Sequence, residues 1–242
     1  TMSLDDFLKI RDIHFFVLLL GSSVFKEFQR MLKCSEFNIA LISKLLLSEE
    51  KLWPTSLKEI MKGFRKACKD ELLTKEDIKK EINENDVKRL KTKEMMLVPA
   101  AICKLFAKRT NIVDFFDCLS ETIKRNLNKN HSEETLKDII LSLSFSCDRA
   151  VYYDGLDNNK KLEYSYDVDA WLKSEKPVGL SKYKTNKNIM YDFKLDDGLE
   201  EAFVKAKAAA TTLEESVYLL KFKFFPLSDD RIFSYTRHRS KI

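Results

Sequence analysis

The sequence predicts a mainly α-helical protein, and three observations support this fold class. The 242 residues include only 5 Gly and 4 Pro, which are few for a turn-rich β architecture. Hydrophobic residues make up 44% of the chain and charged residues 33%, which supplies both a core and polar outer faces. Over residues 1–147, apolar side chains recur at helical spacing behind residues that favour helix starts. We therefore expect an N-terminal multi-helix bundle or irregular helical array, followed by a smaller α/β C-terminal region.

Capping residues divide the N-terminal region into helices. Ser3, which is followed by acidic residues, predicts a first helix that ends near Gly21. The clearest start is Ser56 with Glu59, a capping-box pair ahead of a long apolar stripe. Other helix starts are expected at Ser22 or Ser23, Ser35, Thr74, Asn111 and Ser132. The segment that follows Thr74 is so polar that we expect a surface helix or an exposed helical arm there.

The pattern changes after Cys147. Tyrosines on both sides of residues 154–159, a run of turn-forming residues, predict a small β-hairpin. Residues 188–193 form a further strand candidate, and residues 199–210 and 213–225 return to helical spacing. The predicted domains are a helical domain at residues 1–147 and a smaller α/β region, a hairpin plus helices packed on it, at residues 148–242.

Composition also limits the ligands, the cellular location and the membrane association that we expect. The net charge of +5 and the pI near 8.8 permit nucleic-acid binding without requiring it. The five cysteines include no C-x-x-C pair, which predicts reduced thiols and an intracellular, cytoplasmic location. The longest apolar run, residues 15–20, is far shorter than the ~20 residues of a membrane span. We therefore expect no membrane span.

Familiar catalytic and cofactor motifs are missing from the sequence. It contains no P-loop, no dinucleotide-binding glycine motif, no H-E-x-x-H, no paired zinc spacing and no nucleophile elbow. Asp167 and Asp169, just ahead of Trp171, favour the start of a short helix over a metal site. We expect neither a cofactor nor a bound metal.

One short pattern suggests catalysis. Arg125, Asn126 and His131 are spaced R-N-x-x-x-x-H, which resembles the motif of the HEPN family of helical ribonucleases and nucleotide-transfer proteins. The resemblance covers seven residues and has one more residue between the pair than the commonest family form. It implies that Arg125 stabilises phosphate charge, that His131 is the general acid or base, and that a homodimer brings two motifs together. The alternative is that Arg125 and Lys129 occupy a helix end ahead of an Asn-rich loop.

Basic residues gather in two regions. The first group comprises Lys88, Arg89, Lys91, Lys93, Lys104, Lys108 and Arg109. The second group is a basic and aromatic C-terminal tail that includes Arg237, His238 and Arg239. Both groups are candidates for phosphate contacts, and the aromatic residues of the tail are candidates for stacking on bases. The alternatives are ordinary solvated helix faces for the first group, and a packed aromatic strand or helix with a charged end for the second.

Without a complete enzyme signature, the expected role is a non-catalytic interaction module. Such a module would bind a protein partner or a nucleic acid, RNA rather than DNA, through the basic helical surface and the C-terminal tail. The alternative is a HEPN-like, metal-independent ribonuclease that uses Arg125 and His131.

Overall fold

The computed structural model describes residues 3–35, 37–70, 97–127, 132–157, 159–176, 178–224 and 232–239. Its α-helices are α1 (Leu4–Gly21), α2 (Lys26–Lys33), α3 (Ile39–Ser48), α4 (Thr55–Asp70), α5 (residues 97–107), α6 (Arg109–Leu127), α7 (Glu133–Arg149), α8 (Val168–Lys173), α9 (Leu199–Ala208) and α10 (Leu213–Leu219). The strands β1 (Asn159–Tyr166), β2 (Lys184–Lys194) and β3 (Thr236–Arg239) form an antiparallel sheet in the order β1-β2-β3. The predicted fold class, mainly helical with a smaller α/β C-terminal region, is confirmed.

Local signals placed several helix starts correctly. The Ser3 side chain accepts a hydrogen bond from the Asp6 amide and the Asp6 carboxylate accepts one from Ser3, which makes a capping box at the start of α1. Gly21 is the last residue of α1, as expected. Ser132 caps α7 by accepting from the amide of Thr135. These signals act within one turn, so the sequence reveals them directly.

Three other starts differ from the prediction. Asn38, not Ser35, caps α3. Helix α4 begins directly after Pro54, so Ser56 lies inside its first turn and its hydroxyl donates to Asp114 instead. Helix α6 begins before Asn111, whose amide donates to the carbonyl of Lys104 at the end of the preceding helix. The polar segment after Thr74 lies outside the described residues.

Aromatic side chains fill the core between the helices. The ring of Phe16 on α1 lies 5.5 Å from Trp53 and 6.4 Å from Phe115 on α6. Phe25 stacks on Phe116 at 5.1 Å, which joins the turn before α2 to the same core. Full burial of such rings is among the largest apolar contributions to folding that single side chains make. This core fixes α1 and α6, and with them the neighbouring α4, in position.

The sheet differs from the predicted hairpin. Tyr153–Gly155 is a 3-10 turn, and the first strand begins only at Asn159. Tyr153 packs instead against Phe203 on α9, and its hydroxyl donates to the carbonyl of Ile232 at 2.7 Å. Strand β1 pairs with β2 across the intervening segment 167–183, which contains α8. The expected strand at residues 188–193 lies within β2 and is confirmed.

A buried ion-pair network joins α2, α7 and β3. Arg149 on α7 donates to Glu27 Oε2 at 3.0 Å, and Arg237 on β3 donates to Glu27 Oε1 at 3.1 Å. Arg237 also donates to Asp169 Oδ1 at 3.1 Å, in the first turn of α8. The Glu27 side chain is fully buried, so the two guanidinium groups replace its water shell. The network balances two cations against two carboxylates and fixes the sheet against the helices.

Contacts therefore cross the predicted domain boundary at residue 147. Helix α7 continues past it to Arg149, whose carbonyl accepts from the amide of Tyr235 at 2.8 Å. The ring of Phe145 also lies 4.4 Å from Tyr164 on β1. The division into residues 1–147 and 148–242 remains a prediction.

Cys68, Cys103 and Cys118 are buried, and Cys34 and Cys147 are partly buried. Their pattern agrees with the expectation of reduced cysteines. Among the described residues, no helix combines the length and the apolar character that crossing a membrane requires.

We predict that Glu27→Ala lowers the free energy of unfolding by about 3–5 kcal/mol, because it leaves Arg149 and Arg237 buried without their shared carboxylate. Urea denaturation followed by circular dichroism measures the change. Glu121→Ala is the matched control, since it removes a carboxylate from an exposed pair with Arg125 and should cost less than about 1 kcal/mol. Equal losses in the two variants would contradict the central role of Glu27.

Candidate nucleic-acid interface

A row of lysines runs along the exposed side of α4. Lys58, Lys62, Lys66 and Lys69 are four, four and three residues apart, so they share one face of the helix. All four are exposed. Arg65 lies on the same side, but its charge is neutralised, because its guanidinium pairs with Asp12 at 2.8 Å and with Glu50 at 2.7 Å. The Lys58 ammonium also donates to the carbonyl of Lys51 at 3.2 Å. The lysine row, defined as these four residues, is therefore exposed along its length.

Two of the lysines predicted from sequence lie across a cleft from α4. Lys104 lies on α5, and Lys108 is the residue directly after α5. Both are exposed and line this cleft of about 380 Å³. The other lining residues are Ser56, Glu59, Ile60, Asn111, Thr212 and Glu214. The cleft thus joins the first turns of α4 to the α5–α6 junction and to the start of α10, and its walls are mostly polar.

Acidic groups reduce the positive charge at one end of this cleft. Lys108 Nζ lies 3.1 Å from Glu214 Oε1. The backbone amide of Glu214 and the Lys108 ammonium lower the pKa of the Glu214 carboxyl, so it is ionised at neutral pH. Glu59 is exposed between the cleft and the lysine row. Around this cleft, the positive surface is therefore formed by the lysine row with Lys104, and Lys108 contributes less.

The other residues of the first basic group are not shown to be part of this surface. The guanidinium of Arg109 lies 5.4 Å from the ring centroid of Tyr152, and its backbone amide donates to Asp154 at 2.8 Å. Arg109 is exposed, but it is directed toward the segment before β1. Lys88, Arg89, Lys91 and Lys93 lie outside the described residues.

The C-terminal basic residues occupy β3. The Arg237 side chain is only 1% exposed because it belongs to the Glu27 network, so its guanidinium does not face solvent. His238 and Arg239 are exposed, and Arg239 pairs with Asp167 at 3.3 Å. Asp167 caps α8, which confirms the helix start expected at that position. Within the described tail, His238 and Arg239 are therefore exposed, and the charge of Arg239 is shared with Asp167.

The residues of the HEPN-like pattern fall at the end of α6. Arg125 is exposed and its Nε lies 3.2 Å from Glu121 Oε1, one turn back on the same helix. The Asn126 amide donates to the carbonyl of Thr122 at 2.9 Å and to Glu49 at 3.4 Å. His131 lies outside the described residues. These contacts are those of a helix end, and the catalytic pairing of Arg125 with His131 remains a prediction.

A half-buried group of titratable side chains lies where α7 meets β1. The Tyr164 hydroxyl donates to Asp148 Oδ2 at 3.2 Å, and Lys160 Nζ lies 4.8 Å from the ring centroid of Tyr235. Burial lowers the pKa of Lys160 and raises that of Tyr164. Burial and the neighbouring Asp148 raise the pKa of Cys147 to about 12. A nucleophilic cysteine requires a lowered pKa, so this group fits packing rather than catalysis.

The pKa of Asp148 generates a prediction about pH. Burial raises this pKa, against the opposing effects of Lys160 and the Tyr164 hydroxyl. The folded state therefore favours the protonated Asp148 carboxyl. The stability that this gives is present below the pKa of an unfolded Asp, about 3.9, and is lost as pH rises through the pKa of Asp148 in the folded protein. Asp148→Asn keeps an acceptor for Tyr164, so it should gain stability relative to the wild type between pH 3.5 and pH 7. Thermal melts at both pH values test this, and a constant difference between the proteins would contradict it.

The described residues hold no group of three or more His, Cys, Asp or Glu side chains placed to bind a metal ion. Comparison with family models, curated proteins and solved structures finds no match to this chain. The candidate site therefore depends on its own geometry and charge.

The lysine row is absent from the sequence predictions, although the sequence contains its signal. The same segment gave the clearest apolar stripe, and the lysines repeat at the same helical period on another face. Comparing the charged face of each predicted helix with its apolar face would have identified Lys62, Lys66 and Lys69.

Proposed function

We propose that this protein is a non-catalytic nucleic-acid-binding module whose contact surface is the lysine row of α4 together with Lys104. The observation that carries the proposal is the alignment of four exposed lysines on one helix face, next to a polar cleft that holds further lysines. RNA is the expected class of nucleic acid, and DNA is the comparison ligand in the test below.

The spacing of the row suits a phosphate backbone. With a rise of 1.5 Å per residue, Lys58 to Lys69 span about 16 Å of the helix axis, with roughly 6 Å between neighbouring lysines. Each ammonium is a mobile point charge on a long stem and can follow irregular phosphate positions. Such contacts release counterions and carry little sequence information. Binding should therefore depend strongly on salt and weakly on base sequence.

The exposed part of the C-terminal tail extends the proposal. His238 and Arg239 lie on β3 and are accessible, whereas Arg237 has its charge committed to Glu27 and Asp169. They lie on a strand and the lysine row lies on a helix, so they are not part of that row. We therefore treat His238 and Arg239 as secondary contacts. An intracellular, cytoplasmic location is part of the same proposal.

We predict that Lys62→Glu/Lys66→Glu weakens binding of a labelled, mixed-sequence single-stranded RNA by at least about tenfold. The slope of log affinity against log salt should become shallower by about 2, because two phosphate contacts are lost. Fluorescence anisotropy over a salt series measures both quantities, with single-stranded DNA in parallel.

The matched control is Lys184→Glu/Lys187→Glu, which makes the same charge change at two exposed lysines of β2. This control should stay within about twofold of the wild type at each salt concentration. Equal losses in the two double variants would show a general charge effect and contradict a site on α4. No binding by the wild type even at low salt would leave a protein partner as the remaining function.

The ribonuclease alternative has a separate test. We predict that RNA incubated with the wild type in EDTA stays intact, because Arg125 already pairs with Glu121 in an ordinary helix-end contact. Gel electrophoresis of end-labelled RNA detects any cleavage. Cleavage by the wild type that disappears in His131→Ala would establish the HEPN-like activity and contradict the non-catalytic proposal.

A further inference from the structure

The cleft beside the lysine row has a size that suits one small planar group. Ser56 and Ile60 of its lining lie in the first turns of α4, on either side of Lys58, so the cleft opens within one helical turn of the row. Its volume of about 380 Å³ is near the lower end of the range for small-molecule sites, about 300–1,000 Å³. A strand that lies on the row would therefore bring its bases next to the cleft.

The lining of the cleft differs from that of a simple phosphate site. Phosphate oxygens accept hydrogen bonds, so a site for phosphate alone needs donors and cations. Here Lys104 and Lys108 share the cleft with two carboxylates, those of Glu59 and Glu214. A carboxylate repels a phosphate placed inside the cleft, whereas it can accept from the N–H groups of a base. The ligand that fits these groups brings donors into the cleft and keeps its phosphates outside.

Asn111 offers the cleft a donor next to an acceptor. One N–H of its side-chain amide donates to the carbonyl of Lys104 at 3.1 Å, which fixes the side chain at the α5–α6 junction. An amide also has a second N–H and an oxygen with two lone pairs, and the described contacts of Asn111 leave these unused. The edge of every base presents a donor beside an acceptor, so each base can form two hydrogen bonds with Asn111. Such a contact agrees with binding that depends weakly on base sequence.

We infer that this cleft binds one unpaired base of a strand whose phosphates contact the lysine row. The inference rests on the proposed function and names its ligand more closely, as a single-stranded nucleic acid. In a duplex each base is paired and stacked, so entry into the cleft would require unpairing and unstacking. In a single strand the base edges are free, and Ile60 supplies an apolar contact for the ring.

Charge alone predicts the opposite preference. A duplex carries more negative charge per unit length than a single strand, and its contacts with cations depend more steeply on salt. A lysine surface without a base site should therefore bind duplex RNA at least as tightly as single-stranded RNA at low salt. A preference for the single strand thus distinguishes a base in the cleft from phosphates on the row alone.

Fluorescence anisotropy at low salt tests the inference with three labelled probes. They are a short mixed-sequence single-stranded RNA, the same strand annealed to its complement, and an abasic strand of equal length. The full chain should bind the single-stranded RNA at least about tenfold more tightly than either other probe. Equal or tighter binding of the duplex or of the abasic strand would overturn the inference and leave the proposed function standing. No binding of any probe would contradict the proposed function itself.

Asn111→Leu tests the assignment of the base to this cleft. The variant removes the amide and keeps a side chain of similar size, so the preference for single-stranded RNA over the abasic strand should fall to within about threefold. Its binding of the abasic strand should stay within about twofold of the wild type, because the lysines remain. Asn188→Leu, at an exposed position of β2, is the matched control and should behave like the wild type. Circular dichroism checks that both variants fold, and a full preference in folded Asn111→Leu would overturn the assignment.

Discussion

The buried position of Glu27 constrains how the helices and the sheet of this protein pack together. A carboxylate without water must be neutralised by close cations, and here Arg149 and Arg237 do so from different elements. Arg149 also donates to the carbonyl of Ser23 and to the Ser234 hydroxyl, so its donors are used on both sides of the interface. Moving any one of α2, α7 or β3 would leave a buried charge unpaired, which ties the sheet to one position on the helices.

Arginine and lysine have separate roles in this protein. The guanidinium groups of Arg65, Arg149 and Arg237 are planar and bind carboxylates inside or at the edge of the core. The lysines of α4 are exposed, and an ammonium is a compact, strongly hydrated charge that is stable in water. The net charge of +5 counts every arginine and lysine alike. Arg149 and Arg237 are buried and add little charge to the outer surface, whereas the α4 lysines are exposed.

The sequence allowed the fold class to be predicted, because helix starts such as Ser3 and Ser132 depend on neighbours within one turn. The hairpin prediction failed because Tyr153 is drawn into a core made by Phe203 and distant residues rather than into a strand. The candidate site was predicted in part: Lys104 and Lys108 line the cleft. The burial of Arg237 could not be predicted from the sequence, because it depends on Glu27, which lies 210 residues earlier.

The order of Glu27, Arg149 and Arg237 along the chain has a consequence for biosynthesis. The two arginines follow Glu27 by 122 and 210 residues, so a growing chain exposes this glutamate long before its partners are made. Until β3 is complete, docking of α2 against α7 would bury the carboxylate with half of its counter-charge. Completion of the Glu27 network therefore requires β3, and a chain that lacked β3 would leave this carboxylate with one of its two counter-charges.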